Sequence, residues 1–333
     1  MHSPFLSPRG RERRALLARL GAVGAASALP LQAAWASDGY PTHPIRVVVP
    51  FGPGGLADIS MRLIAQKLSE RLGQQFVIDN RPGAGGVAAA TGTLSAPRDG
   101  HTLIMFTNGT AIGKSLFKLS YDPETDFTPI SSLTYFDLIL ITRKDGSIGD
   151  LKALLAQGRQ RQLTLGTINP GSTQNLSGEL FRSVSRIKAE LVPYKSTPEV
   201  LTALIRGDID VAFESYAALK GPVDSGQVKV IATTGPTRTA WLPQVPTVRE
   251  AGLPGYEVTG WNALYAAVGV PPKAVEVLDQ AVREVIHLPD VRERLLKLGT
   301  EPKASTPAEL AAVFRRDAAK WAEVIRVAGI KVQ

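Results

Sequence analysis

The chain has 333 residues, 44% hydrophobic and 20% charged, the composition of an ordinary globular protein with room for two domains. It contains no cysteine, which excludes disulfides, thiolate metal sites, catalytic thiols and a lipid-modified N-terminal cysteine. The formal net charge is +8, but part of it sits in the first 36 residues and the rest is scattered without a basic run. Nucleic acid is therefore not an expected partner, whereas small anions are favoured.

Residues 1–36 read as a secretory signal. Arg9, Arg11, Arg13 and Arg14 form a basic start, Ala15 to Leu31 is mostly apolar and small, and Ala34-Trp35-Ala36 offers a cleavage site after Ala36. Arg19 and Pro30 interrupt the apolar run before it reaches the roughly 20 residues of a membrane span. Arg13-Arg14 leaves a twin-arginine route open beside general secretion.

The stretch Ile45 to Asp58, IRVVVPFGPGGLAD, sets the pattern of the mature chain. An apolar strand, Ile45 to Val49, runs into a Pro/Gly turn that opens onto an amphipathic helix through Ile59, Leu63, Ile64, Leu68 and Leu72, stopped by Gly73. Glycine lets a ligand approach the backbone, and the first N–H groups of a helix are unpaired and carry the positive dipole end, so strand, turn and helix start make an anion site. The plainer reading, a tight βα connection, loses ground because the pattern recurs: NRPGAGG (Asn80 to Gly86) follows a strand Phe76 to Asp79, and TNGT (Thr107 to Thr110) follows a strand Thr102 to Phe106. An Ala-rich helix ending at Ser95 lies between these two units. Strands alternating with helices at this spacing imply a parallel sheet, with ligands bound beyond the carboxyl ends of its strands.

After a Pro-containing connection, Tyr121 to Pro129, the pattern restarts. An apolar stretch Leu138 to Thr142, a helix near Leu151 to Gln157, a strand Leu163 to Gly166 and the loop TINPGST lead to a helix through Leu176, Leu180 and Phe181. A strand Glu190 to Val192, the turn PYKST, a helix Pro198 to Arg206 and a strand Ile209 to Phe213 complete a second α/β domain. Its Ser172, Thr173, Ser196, Thr197 and Ser215 stand where helices start, which suits N-capping and ligand binding alike. Beyond the strand Val228 to Thr233 come a Pro-rich stretch, a strand Trp261 to Val268, and helices Ala274 to His287 and Pro307 to Ala328, the last expected to pack on the first sheet.

Catalytic chemistry is sparse. His43, His101 and His287 have no metal-ligand spacing, and there is no G-x-S-x-G elbow, Walker loop or G-x-G-x-x-G fingerprint. A secreted hydrolase would have to use Asp58 and Glu214 as a carboxylate pair. No cofactor, metal or catalytic residue is expected.

The segments YPTHPIRVVVPFGPGGLAD, NRPGAGG, YDPETDFTPIS, GELF, VPYK and VPTVREAGLPGYE, spread in order over Tyr40 to Ile330, resemble the Bug-type periplasmic receptors of tripartite tricarboxylate transporters. The resemblance implies a class II periplasmic-binding fold: two α/β lobes, a hinge of two crossing segments, and a ligand cleft between. The first lobe would comprise 37–140 plus 258–333 and the second 141–257, with crossings near Leu138 to Ile141 and Tyr256 to Trp261, the return falling between about 230 and 262. It implies capture of a small carboxylate in the periplasm and delivery to transporter membrane subunits by a monomer, or alternatively signalling to a membrane sensor kinase. Carried onto this chain, the ligand-binding residues are Phe51, Gly54, Gly55, Asp58, Ala84, Gly85, Asn108 and Thr110 from the first lobe, and Ser172, Thr173, Gln174, Tyr194 and Ser215 from the second. Two departures stand out: Ser196-Thr197 where a glycine commonly follows VPYK, and Glu214 where a smaller residue or Asp is usual. Repulsion from Asp58 or Glu214 favours a monocarboxylate or amino-carboxylate over citrate.

Overall fold

The computed structural model describes residues 39–328; the expected signal and its cleavage site lie outside the described residues. Among the described residues, every strand and helix belongs to one unit that starts at His43. Strand β1 (Ile45–Val49) leads to helix α1 (Leu56–Leu72), which ends as expected at Gly73 in the left-handed conformation, φ 71°. Strand β2 (Phe76–Asn80), helix α2 (Val87–Leu94), strand β3 (Thr102–Thr107) and helix α3 (Asn108–Leu116) come next. β1 lies between β2 and β3, parallel to both, and apart from Arg46 is apolar without alternation because helices cover both faces of such a strand.

The second set is α4 (Leu151–Gln160), β5 (Leu163–Ile168), α5 (Thr173–Ser185), β6 (Ala189–Tyr194), α6 (Thr197–Arg206), β7 (Val211–Ser215), α7 (Tyr216–Asp224) and β8 (Val228–Thr233). The chain closes with β9 (Thr259–Ala267), α8 (Pro272–His287), α9 (Pro289–Lys297), β10 (Thr300–Pro302) and α10 (Pro307–Ala328). Helices α7 and α9 and strand β10 were not expected; α7 carries Pro222 inside it, a residue that disfavours helix interiors.

The connector is β4 (Phe127–Arg143), 17 residues long. The expected loop at Tyr121 to Pro129 is therefore partly strand. Pro129, which lacks an N–H, is accommodated because the register with β9 shifts between Pro129 and Ser131. The sheet is also mixed rather than parallel: β9 runs antiparallel to β3 and β4, and β4 antiparallel to β7 and β8. Strand order is β2-β1-β3-β9-β4-β7-β5-β6. Along β4, pairing with β9 ends at Asp137↔Thr259 and pairing with β7 begins at Leu138↔Ser215, so one strand serves both halves of an α/β two-lobed fold.

Each half has its own core. Val48, Ile104, Phe106, Trp261 and Tyr265 cluster with Leu310 and Phe314 of α10. Leu140, Leu165, Phe181, Phe213 and Tyr256 cluster with Trp321 and Ile325 from the same helix. The terminal helix thus packs on the first sheet only with its N-terminal half. Its far end belongs to the second core.

Asp137 occupies the switch point of β4, against Gly235. Burial and then the negative charge of Glu257 push its carboxyl up to about 6. An acid raised on folding contributes stability that is complete below its unfolded value and lost as pH rises through its folded one. Asp137→Asn is therefore expected to raise the urea midpoint at about pH 7.5, by an amount corresponding to about 2 kcal/mol, and to leave it unchanged near pH 4. Equal effects at the two pH values would show that ionisation of Asp137 is not the cause.

Candidate functional site

Four helix starts meet in one small cleft. Gly55, Leu56 and Ala57 open α1, Thr107 caps α3, Thr173 and Gln174 open α5, and Ser196 and Thr197 open α6; all line the same space, with Phe51, Gly52, Phe136, Ile168, Lys195 and Asn262. Each helix start brings unpaired N–H groups and the positive end of its dipole, so the cleft is suited to an anion. Among the described residues Lys195 is the one charged side chain in that lining. The cleft is narrow, leaving ≈ 20 Å³ to the centres of water molecules, room for about one.

Its walls touch directly. Gly52 N–H donates to the Lys195 carbonyl at 3.3 Å and Gly85 N–H to the Pro170 carbonyl at 3.1 Å. Asn169 Nδ2 donates to the Pro50 carbonyl at 3.3 Å, and Thr173 Oγ1 to Asn108 Oδ1 at 2.5 Å. Such bonds join loops of the first strand set to loops of the second, the arrangement of a shut cleft.

Of the residues expected to bind ligand, Phe51, Gly55, Thr173 and Gln174 line the cleft. The others are placed differently. Gly54 N–H donates to Asp58 Oδ2 at 3.0 Å, so the helix's own first-turn carboxylate takes that amide. Asp58 is buried and held by Arg62, whose Nε donates to Oδ1 at 3.0 Å. Burial pushes its carboxyl up, but Arg62, the Gly54 N–H and Asn80 outweigh that and hold it below its usual range. Ala84 is exposed, and Gly85 is engaged in the contact to Pro170. Asn108 joins Thr173 to the Thr259 carbonyl, Thr110 accepts from the Thr107 N–H at 3.3 Å, and Ser172 caps α5 by accepting from the Asn175 N–H at 3.1 Å. Tyr194 packs against the same apolar cluster as Phe51, and Ser215 is buried beside Glu214. The residues missed include Lys195, Thr107 and Asn262. Asn262 carried a readable signal, a single amide inside the apolar strand TGWNALYAA.

Two other features are set apart from the cleft. A groove of ≈ 530 Å³ between α5, the 249–257 loop and α10 is walled by Leu180, Val184, Trp321 and Val324. His43, Asp99 and His101 bring ligand-type atoms within 4.8 Å of one another. The two imidazoles are stacked at 3.7 Å and 10°, however, so their in-plane lone pairs run in parallel planes and do not converge on one ion.

Residues 60–330 match the family model described as tripartite tricarboxylate transporter family receptor. A solved structure of Rpa4515 from R. palustris with adipate is 34% identical, with a TM-score of 0.83, covering 88% of this chain and 99% of that one. The periplasmic binding protein BugD is 29% identical with a TM-score of 0.85, covering 88% of this chain and 100% of BugD. MatC from Rhodopseudomonas palustris with bound malate is 34% identical with a TM-score of 0.81, covering 86% of this chain and 100% of MatC.

Proposed function

Because the chain belongs to the tripartite tricarboxylate transporter receptor family, we propose that it captures a small organic carboxylate in this cleft and delivers it to the membrane subunits of such a transporter. The observation that carries the reading is the convergence of four helix starts on one shut space. Neutral dipoles hold a carboxylate without the desolvation cost of a buried counter-charge, which leaves the ligand free to depart. In this reading the protein works as a monomer in the periplasm after removal of residues 1–36, and catalyses no reaction. The lobes are 37–140 with 258–333, and 141–257; the change of partners at Asp137 and Leu138 supports a first crossing close to that boundary.

Repulsion from Asp58 and Glu214 is the reason to expect a monocarboxylate or amino-carboxylate over citrate, and the surroundings of both carboxyls moderate it. Asp58 is balanced by Arg62, and Glu214 is pushed up to about 7 by burial, so Asp58 is paired and Glu214 is only about half ionised at neutral pH. On charge, dicarboxylates such as adipate and malate, which similar receptors bind, are therefore admissible, and the shut cleft, with room for about one water, must open to take them. Native mass spectrometry of the mature protein with a carboxylate panel is expected to show one acid per chain and no conversion of it. Turnover of any panel member, or binding of none, would overturn the reading.

A further inference from the structure

Glu214, on β7, is 0% exposed. Its Oε2 accepts from Thr197 Oγ1 at 3.0 Å, from Gln174 Nε2 at 3.4 Å and from the Ser215 N–H at 3.2 Å. Its Oε1 has no hydrogen-bond partner among the described residues. Thr197 and Gln174 both line the cleft, so Glu214 forms the layer directly beneath it.

The protonation of that layer decides what the cleft offers. An ionised carboxyl only accepts, whereas a protonated one also donates. With Glu214 ionised, the single O–H of Thr197 is spent on Oε2 and the hydroxyl can show an incoming carboxylate only lone pairs. With Glu214 protonated, the acid donates to the Thr197 oxygen, and the hydroxyl proton is released to point into the cleft.

We propose that Glu214 makes ligand capture proton-linked: each carboxylate enters with one proton from the solvent, which comes to rest on Glu214 and turns the Thr197 hydroxyl from acceptor to donor. The inference rests on the reading of the cleft as a carboxylate site. No bond of the ligand changes, and the proton comes from water or the buffer acid.

The surroundings leave Glu214 as the titrating group. Ile139 stands opposite it on β4 and Ile168 ends β5, both uncharged. Gln174 donates to it from α5, and Thr197 from α6. Near the start of α6, Lys195 is exposed, and Glu199 accepts from the Ser196 hydroxyl and the Lys195 N–H. On α7, the Tyr216 hydroxyl donates to Asp224. Across the cleft Asp58 is tied to Arg62. Burial is the main influence on Glu214 and pushes it up to about 7, opposed by its hydrogen bonds from Thr197, Gln174 and Ser215. The competent, protonated fraction therefore falls as pH rises through 7, and affinity falls with it.

The test is calorimetric titration with adipate and with malate at about pH 6.5 and about pH 8, where both probes are ionised, in buffers of different ionisation enthalpy. Affinity should be about tenfold weaker at the higher pH, with uptake of close to one proton per ligand there. Glu214→Gln, which cannot titrate, should bind equally at the two pH values without proton uptake. Thr197→Val, which removes the relay while keeping shape, should lose the pH dependence as well. Binding by the unaltered protein without proton uptake, or a Glu214→Gln variant that keeps the slope, overturns the proposal alone. Failure of adipate, malate and every other panel carboxylate to bind at about pH 6.5 removes the carboxylate reading and the proposal together.

Discussion

Gly109→Ala is expected to weaken carboxylate binding at least about tenfold while leaving the unliganded protein as stable as before or slightly more so. Gly109 lies in the first turn of α3, where alanine ordinarily improves a helix by up to about 1 kcal/mol. A methyl group there would run into the Gly171 carbonyl oxygen and stand 3.0 Å from the Thr173 nitrogen. Both are backbone atoms of the facing loop and cannot rotate aside. The penalty therefore falls on the shut arrangement and not on the helix itself, and a ligand that requires closure must supply it. About 1.4 kcal/mol of such strain is a factor of ten in apparent affinity. Calorimetry gives the affinity, and small-angle scattering at saturating adipate should find the variant more expanded than the parent. Equal affinity in variant and parent would mean that the loops need not approach this closely when ligand is held.

The same close approaches explain what could and could not be read from the residues. β1, α1 with its Gly73 stop and the terminal helix Pro307–Ala328 were legible because apolar periodicity and terminating glycines act locally. β4 was read short because Pro129 signals a connection, and only the register shift with β9 makes room for it. The candidate cleft lies where the first and third Gly-containing loops, after β1 and β3, led one to expect it, whereas the loop 80–86 adds no lining residue. Which groups face the cleft was not legible, because partners distant in sequence decide it. Asn108 looked like a ligand donor but joins two loops through Thr173, and the amide of Gly54 goes to Asp58 four residues on. Thr197, expected as a hydroxyl at a helix start, is also the contact between the cleft and Glu214.

Trp321→Ala is expected to cost about 3–5 kcal/mol, the largest stability loss considered, and to change the form of unfolding as well as its midpoint. Trp321 is 4% exposed and packs with Ile325 into the core that holds Phe181, Phe213 and Tyr256. Two turns earlier α10 gives Phe314 to the other core, and one turn earlier Asp317 receives a hydrogen bond at 2.7 Å from Trp261 Nε1. Loss of the indole leaves a cavity in one core and frees the end of a helix whose beginning stays anchored in the other. Val327→Ala on the same helix removes a side chain that is 70% exposed and should change stability by less than about 0.5 kcal/mol, so it controls for helix propensity. Near-UV and far-UV circular dichroism, followed together in urea, should coincide for the parent and separate for Trp321→Ala, because a strut fixed in two cores is what couples their unfolding. A single coincident transition shifted by less than about 1 kcal/mol would show that β4 and the return crossing couple the two halves without α10.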